Sequence, residues 1–315
     1  MGCYMPIVNG MNSDYINYFS LFDYVNKIKL SPAVLEHLEA TNREFDNYMH
    51  TLSCYDEEYI VNYFIYSLYS ELMSSTRIEN VNFDVKELTN KDLFFDTLTI
   101  SNRRIHLLHN FITEGEMEPS FEYRKKEVNV SKINNDGTED IFWRGVRAKD
   151  VNKFMNNFIK IFKHNGTSLL YSNPFLASSL MHLLFIRIHP YTDGNGRTSR
   201  IIHNIKFTEM VNKLYGTNLK LSPLNLSESI LLNKVTYVKR LDNIYFDMKH
   251  DTNEDINAWF NFILDMADEQ LFVAIGRIPS IDNRFIVNDN DIKKIRCVYL
   301  RLNNTKKLVL FFCKH

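Results

Sequence analysis

The 315-residue sequence is sparing with the residues that punctuate a chain, having 10 glycines and 7 prolines. Collagenous, linker-rich and turn-rich β architectures do not fit such a composition. The four cysteines, Cys3, Cys54, Cys297 and Cys313, are scattered and include no CxxC pair. A zinc ribbon or dense disulfide framework is therefore a poor fit, and free thiols in a reducing, cytoplasmic setting are expected. No run of about 18 apolar residues exists to cross a bilayer, and the opening MGCYMP lacks the basic and apolar regions of a signal peptide. Pro6 stands where a myristoylation pattern needs Ser or Thr. Charge of either sign is not in excess: 37 Lys+Arg against 38 Asp+Glu leave a net −1. That balance offers no footprint for nucleic acid or an anionic membrane. Two of the ten glycines, Gly194 and Gly196, nevertheless fall within three residues, which marks unusual backbone there.

Hydrophobic residues make up 45% of the chain and aromatics 13%, enough for a sizeable core. The apolar periodicity is mostly helical. Ser31-Pro32 reads as an N-cap and N1 pair opening a helix to about Met49. A helix from Asp56 to about Ser74 follows, whose stripe of Tyr59, Tyr63, Tyr66 and Tyr69 reads as packing surface. Further helices are expected at 102–113 and 149–164, and from Asn173-Pro174 to Ile188, where His189-Pro190 stops the run. More are expected at 198–214, 227–248 and 255–271. Between them, alternation over 121–130, the turn signal Asn134-Asn135-Asp136-Gly137 and β-prone Ile141-Phe142-Trp143 predict one β-hairpin. Short β-prone runs at 297–302 and 308–312 leave the last 40 or so residues ambiguous.

The chemistry concentrates in 188–200, IHPYTDGNGRTSR. Pro190 forces His189 out of helical geometry, and the imidazole is a base near neutral pH. Gly194-Asn195-Gly196 opens the next helix, where successive N–H groups form an anion nest. Arg197 and Arg200 share a face of that helix and bring forked phosphate donors. Asp193 beside such a nest suits Mg²⁺, which commonly takes one carboxylate plus phosphate oxygens. The phosphate-loop alternative fails, because Tyr191 stands where that loop needs glycine and Arg197 where it needs lysine. A catalytic zinc would want more His or Cys nearby. A capped loop with surface arginines would account for His189 alone but not for the set.

The segment His189 to Arg200 resembles the signature of the Fic family, HxFx[D/E]GNGRxxR, with Tyr191 in place of the usual Phe. Phe121-Glu122-Tyr123-Arg124, the hairpin to Trp143, and His182 with the helix leading into His189 extend the resemblance over roughly residues 60–270. Upstream, Ser75-Thr76-Arg77-Ile78-Glu79-Asn80 is similar to the family's inhibitory motif [S/T]xxxE[G/N]. Ser75 and Glu79, four apart, share one helical face, and Asn80 suits a left-handed helix end.

The resemblance implies a mainly α Fic/Fido core with a β-hairpin flap. It divides the chain into an N-terminal helical region (1–95) with the inhibitory helix, a core (96–271) and a C-terminal extension (272–315) with room for a partial winged helix. It implies AMP transfer from ATP to a Ser, Thr or Tyr hydroxyl of a protein substrate, the chain itself among the candidates. His189 would be the general base, Asp193 the Mg²⁺ ligand, and Gly194, Asn195, Gly196, Arg197 and Arg200 the phosphate-binding set. Ser75, Glu79 and Asn80 would form the inhibitory switch. Ile141, Phe142 and Trp143 would belong to the flap, and Tyr237 and Tyr245 are adenine candidates. Removal of AMP, or transfer of another phosphate-containing group, remains a rival activity, ahead of a non-enzymatic binding module. No membrane or DNA partner is expected, and a homo-oligomer is left open.

Overall fold

The computed structural model describes residues 21–55, 57–81, 99–113, 116–133, 139–244 and 253–278, and of the strands little beyond the backbone. The described residues are mainly helical: α1 (Leu21–Lys27), α2 (Pro32–Ser53), α3 (Glu57–Ile78), α4 (Asn102–Ile112), α5 (Val151–Phe162), α6 (Leu169–Ser172), α7 (Pro174–Ile188), α8 (Asn195–Tyr215), α9 (Ser227–Leu232), α10 (Lys234–Asp242) and α11 (Asn253–Arg277). Between α4 and α5, β1 (Asn129–Ile133) and β2 (Glu139–Arg144) pair antiparallel, from Asn129 opposite Arg144 to Ile133 opposite Glu139, with a bulge between Val130 and Ser131.

The core is organised around α7. Its sequence, PFLASSLMHLLFIRI, is apolar on nearly every side, and every one of its residues is buried. A helix without a polar face has to be covered all round, and α8, α5 and α11 pack against it. Local chemistry sets its ends. Asn173 caps the start, its Oδ1 accepting the N–H groups of Phe175 (2.9 Å) and Leu176 (3.2 Å), and Pro174 takes the first helical position. At the other end His189 turns left-handed (φ 53°). Trp259 of α11 is fully buried and donates from Nε1 to the Ser179 carbonyl (3.3 Å). Asn257 ties the same helix to the start of α2, accepting from the Ser31 N–H (2.8 Å) and donating to the Lys29 carbonyl (2.8 Å).

Some expectations needed adjustment. The helix expected to end near Ser74 runs on to Ile78. The helix expected over 227–248 breaks at Asn233, whose backbone (φ −109°, ψ 24°) leaves helical geometry and caps α9 and α10 alike. The stretch 121–128 alternates but is not strand, because its Arg124 is drawn inward to backbone carbonyls described below. The tyrosine stripe does pack: Tyr63 is buried against Tyr48, and Tyr59 and Tyr69 lie against the core. The hairpin turn (134–138) and the tail with its β-prone runs (279–315) lie outside the described residues.

Several histidines are buried uncharged. Burial lowers the His203 pKa to about 3 and that of His182 well below its usual value. Between pH 6.5 and 4 the unfolded chain therefore binds protons that the native state refuses. Stability falls as pH falls, by up to about 1.4 kcal/mol per pH unit for each such group. Thermal melts should show Tm dropping from pH 7 to pH 5. His203→Phe, which keeps a ring on Phe207, should remove roughly 2 kcal/mol of that drop. An unchanged pH slope in the variant would contradict the assignment.

Candidate active site

The loop between α7 and α8 is held from several sides by groups far away in sequence. Asn195 closes it on itself: its Oδ1 accepts the Tyr191 N–H and its Nδ2 donates to the Tyr191 carbonyl, both at 2.9 Å. The Tyr191 ring is buried, stacked on His109 with centroids 3.6 Å apart, and its hydroxyl meets His106 Nδ1 at 2.8 Å. His109 Nε2 donates to the Asp193 carbonyl (2.9 Å). Arg124, also buried, donates from Nε to the His189 carbonyl (2.6 Å), from its backbone N–H to the Pro190 carbonyl (2.9 Å), and from Nη2 to Val146. Burial depresses its pKa to about 10, so the guanidinium stays charged at neutral pH.

His189 Nδ1 lies 3.1 Å from the Ile186 carbonyl. A carbonyl only accepts, so Nδ1 carries the proton and the basic lone pair of the neutral ring sits on Nε2. Burial brings the pKa down to about 4, helped by Arg124 and Arg187, against a smaller upward pull from Ile186 and Asp193. The imidazole is thus unprotonated at neutral pH.

The two glycines answer different needs. Gly194 is left-handed (φ 72°), and a Cβ there would lie 2.5 Å from Thr113 Cγ2. Gly196 has ordinary helical backbone, so the sequence-based expectation of unusual geometry holds only for Gly194. What Gly196 provides is clearance: a Cβ on it would lie 2.1 Å from Glu79 Oε1 and 3.2 Å from Arg200 Nη1.

Glu79 belongs to the end of α3. That helix stops in a Schellman turn, with the Val81 N–H on the Thr76 carbonyl, the Asn80 N–H on the Arg77 carbonyl (3.0 Å each) and Asn80 left-handed at φ 59°. The turn aims Glu79 at Arg200. Arg200 is buried, donating from Nε to Ser75 Oγ (2.8 Å) and from Nη2 to the Ser75 carbonyl (2.8 Å) and Glu79 Oε1 (2.9 Å). Burial opposes its charge, but Glu79 and Tyr237 outweigh that and raise the pKa. Nη1 is buried without a hydrogen-bond partner.

Comparison with known proteins places this loop within a family domain. The Fic/DOC family profile matches residues 99–205, from just before α4 to the middle of α8. The chain carries a Fic/DOC family domain. Its fold is similar to that of a Fic family protein from Desulfovibrio desulfuricans G20, at 15% identity and a TM-score of 0.53, covering 85% of each chain. A Fic domain containing signaling protein from Bacteroides thetaiotaomicron VPI-5482 is 14% identical with a TM-score of 0.52, over 77% of this chain and 98% of its own. Fic-1 from C. elegans is 14% identical with a TM-score of 0.50, over 81% of this chain and 73% of its own. At these identities the likeness is one of fold.

In this Fic/DOC domain His189, the Gly194–Gly196 turn and Arg200 come together with Ser75 and Glu79 from outside the matched segment. Arg197 does something else here: it is buried, forked onto Glu116 (2.5 and 2.8 Å) and bonded to the Ile112 carbonyl (2.9 Å), strapping α8 to the end of α4. Tyr237 is buried beneath Arg200, with its hydroxyl 2.8 Å from His182 Nε2. Tyr245 lies outside the described residues, and Ile141, Phe142 and Trp143 are placed on β2 by backbone alone. No group of three His, Cys, Asp or Glu among the described residues could hold a metal. The exposed Asp193, whose Oδ1 accepts the Gly194 N–H (2.6 Å), fits a cation that draws its other ligands from phosphate oxygens and water. No described helix is long and apolar enough to cross a membrane.

Sequence reading missed His106, His109, Glu116 and the role of Arg124. The one local signal was the pair of histidines three apart on α4. Tyr191→Phe should leave His106 Nδ1 without its buried partner and lower stability by about 1–3 kcal/mol in denaturant melts. A variant as stable as the parent would show that this hydrogen bond contributes nothing net.

Proposed function

We propose that this protein is an adenylyltransferase that moves AMP from ATP onto a hydroxyl side chain of a protein, and that Glu79 inhibits it. The observation that carries this reading is Glu79 itself. Its carboxylate lies at the glycine turn, bonded to a buried arginine whose remaining Nη1 faces the same space. A site that seats a carboxylate on a guanidinium beside the first turn of a helix has the chemistry to seat a phosphate oxyanion.

In this reading the Gly194–Gly196 turn cradles the phosphates and Arg200 grips the γ-phosphate once Glu79 leaves. Asp193 would hold Mg²⁺, which when bound offsets charge on the phosphates. The attacking hydroxyl loses its proton to Nε2 of His189 as its oxygen bonds to the α-phosphorus. The bond from that phosphorus to the bridging oxygen breaks, and pyrophosphate departs. His189 suits the role because its ring is neutral and its Nδ1–H is anchored at Ile186. Arg124 and the His109–Tyr191 stack keep loop and base in place. The hairpin would act as a flap that holds the target by strand pairing. While Glu79 holds Arg200, ATP cannot align; a misplacement of about 1 Å can cost roughly 100-fold in rate.

The test is incorporation of label from α-labelled ATP into the protein and into lysate proteins, with UTP and CDP-choline as parallel donors. Glu79→Gly should raise transfer from ATP at least about tenfold, and His189→Ala added to it should abolish the signal. Glu79→Gly protein no more active than the parent would refute the inhibitory role. Label taken from UTP or CDP-choline and not from ATP would refute the donor.

A further inference from the structure

The contact between α3 and α8 does not stop at Ser75 and Glu79. One turn earlier on α3 lies Glu71, fully buried. Residues 71, 75 and 79 recur every four positions and so line one face of α3. They face 204, 200 and 196, which recur every four positions on α8. The first rung is Asn204 Nδ2 donating to Glu71 Oε1 (3.0 Å). The second is Arg200 on Ser75, and the third is Glu79 on Arg200 over Gly196. Glu71 also reaches a third helix, accepting the Ser227 N–H at Oε2 (3.0 Å) and the Ser227 hydroxyl at Oε1 (2.6 Å).

Burial raises the Glu71 pKa, while Ser227, Asn204 and the charge of Arg200 act against the rise. Its partners are two N–H donors, from Asn204 and from the Ser227 backbone, and the Ser227 hydroxyl, so both carboxyl oxygens are occupied. A buried carboxylate is a poor choice for stability alone, since an apolar side chain of similar size often does as well or better. What a fully partnered polar group supplies is register. The burial of Leu68 and Leu72 beside it is non-directional, whereas the hydrogen bonds of Glu71 are met in one register of α3 only.

We infer that Glu71 is a positioning residue, fixing the register of α3 on α8 and α9 and thereby setting Glu79 against Arg200. The segment from Asn225 to Lys234 reinforces it along the length of α3: Asn225 donates to Ser67 (2.7 Å), Ser70 to Glu228 (3.3 Å), and Lys234 to Asn80 (3.4 Å). The inference rests on the reading of Glu79 given above. It adds that the inhibitory state is held from two turns away, by a residue that feels the charge of Arg200 but, among the described contacts, shares no hydrogen bond with it or with the glycine turn.

The test compares Glu71→Gln, Asn204→Ala and Ser227→Ala, each alone and combined with Glu79→Gly, by transfer from labelled ATP and by Tm. Alone, each should raise transfer, with Glu71→Gln giving about tenfold. Combined with Glu79→Gly, each should change the rate less than about twofold, because the residue it positions is gone. Asn204→Ala and Ser227→Ala leave the carboxylate in place and carry the test if Glu71→Gln does not fold. If Glu79→Gly activates and none of the three variants does, the inference is overturned while the reading of Glu79 stands. Equal changes in both backgrounds also overturn it, because they would mark a merely structural role. If Glu79→Gly itself brings no rise, the reading of Glu79 fails and the inference falls with it.

Discussion

The arrangement of helices around the site depends on one buried charge. Arg200 sits in the first turns of α8, enclosed by protein. A guanidinium taken out of water costs several kcal/mol unless its donors are met. Ser75 offers a hydroxyl and a carbonyl, and Glu79 a carboxylate, all from the last turns of α3. The position of α3 is therefore tied to the charge state and partners of a residue on another helix. The contacts that satisfy the arginine are the ones that keep α3 where it is.

A second arginine does the same for the loop. Arg124 reaches from an irregular segment before the hairpin to the carbonyls around His189, while His106, His109 and Asn195 fix Tyr191 and Asp193. The left-handed backbone at His189 and Gly194 persists because these partners determine it on every side. The loop is shaped chiefly by polar groups, and the apolar core enters through α7, which ends at the base.

This division explains what could be read from sequence. Both ends of α7 were legible, because Asn173-Pro174 and His189-Pro190 are local signals. The start of α2 was legible for the same reason, Ser31 capping through Val34 with Pro32 behind it. The left-handed backbone at Gly194 was legible from the close pair of glycines, and that at Asn80 from its place at the end of a helical run. Contacts between distant residues were not: Arg197 looks like a phosphate donor until Glu116, 81 positions away, takes its fork. Gly196 looks like a backbone requirement until Glu79 is seen where its side chain would be. Glu71 carries no motif, since its meaning lies in Asn204 and Ser227. The break at Asn233 was hidden because the backbone angles of one residue interrupt a good helical pattern.

The roots of the hairpin share hydrogen bonds with the loop that follows α7. Val146 donates to the Ile188 carbonyl (3.3 Å), Gly145 donates to the Val128 carbonyl (3.4 Å), and Arg124 bonds to Val146 and His189 together. Strand edge and imidazole are thus mounted on one rigid bracket. The distance from strand to imidazole is therefore set by the bonds of Arg124 and Val146, and neither end can shift without breaking some of them.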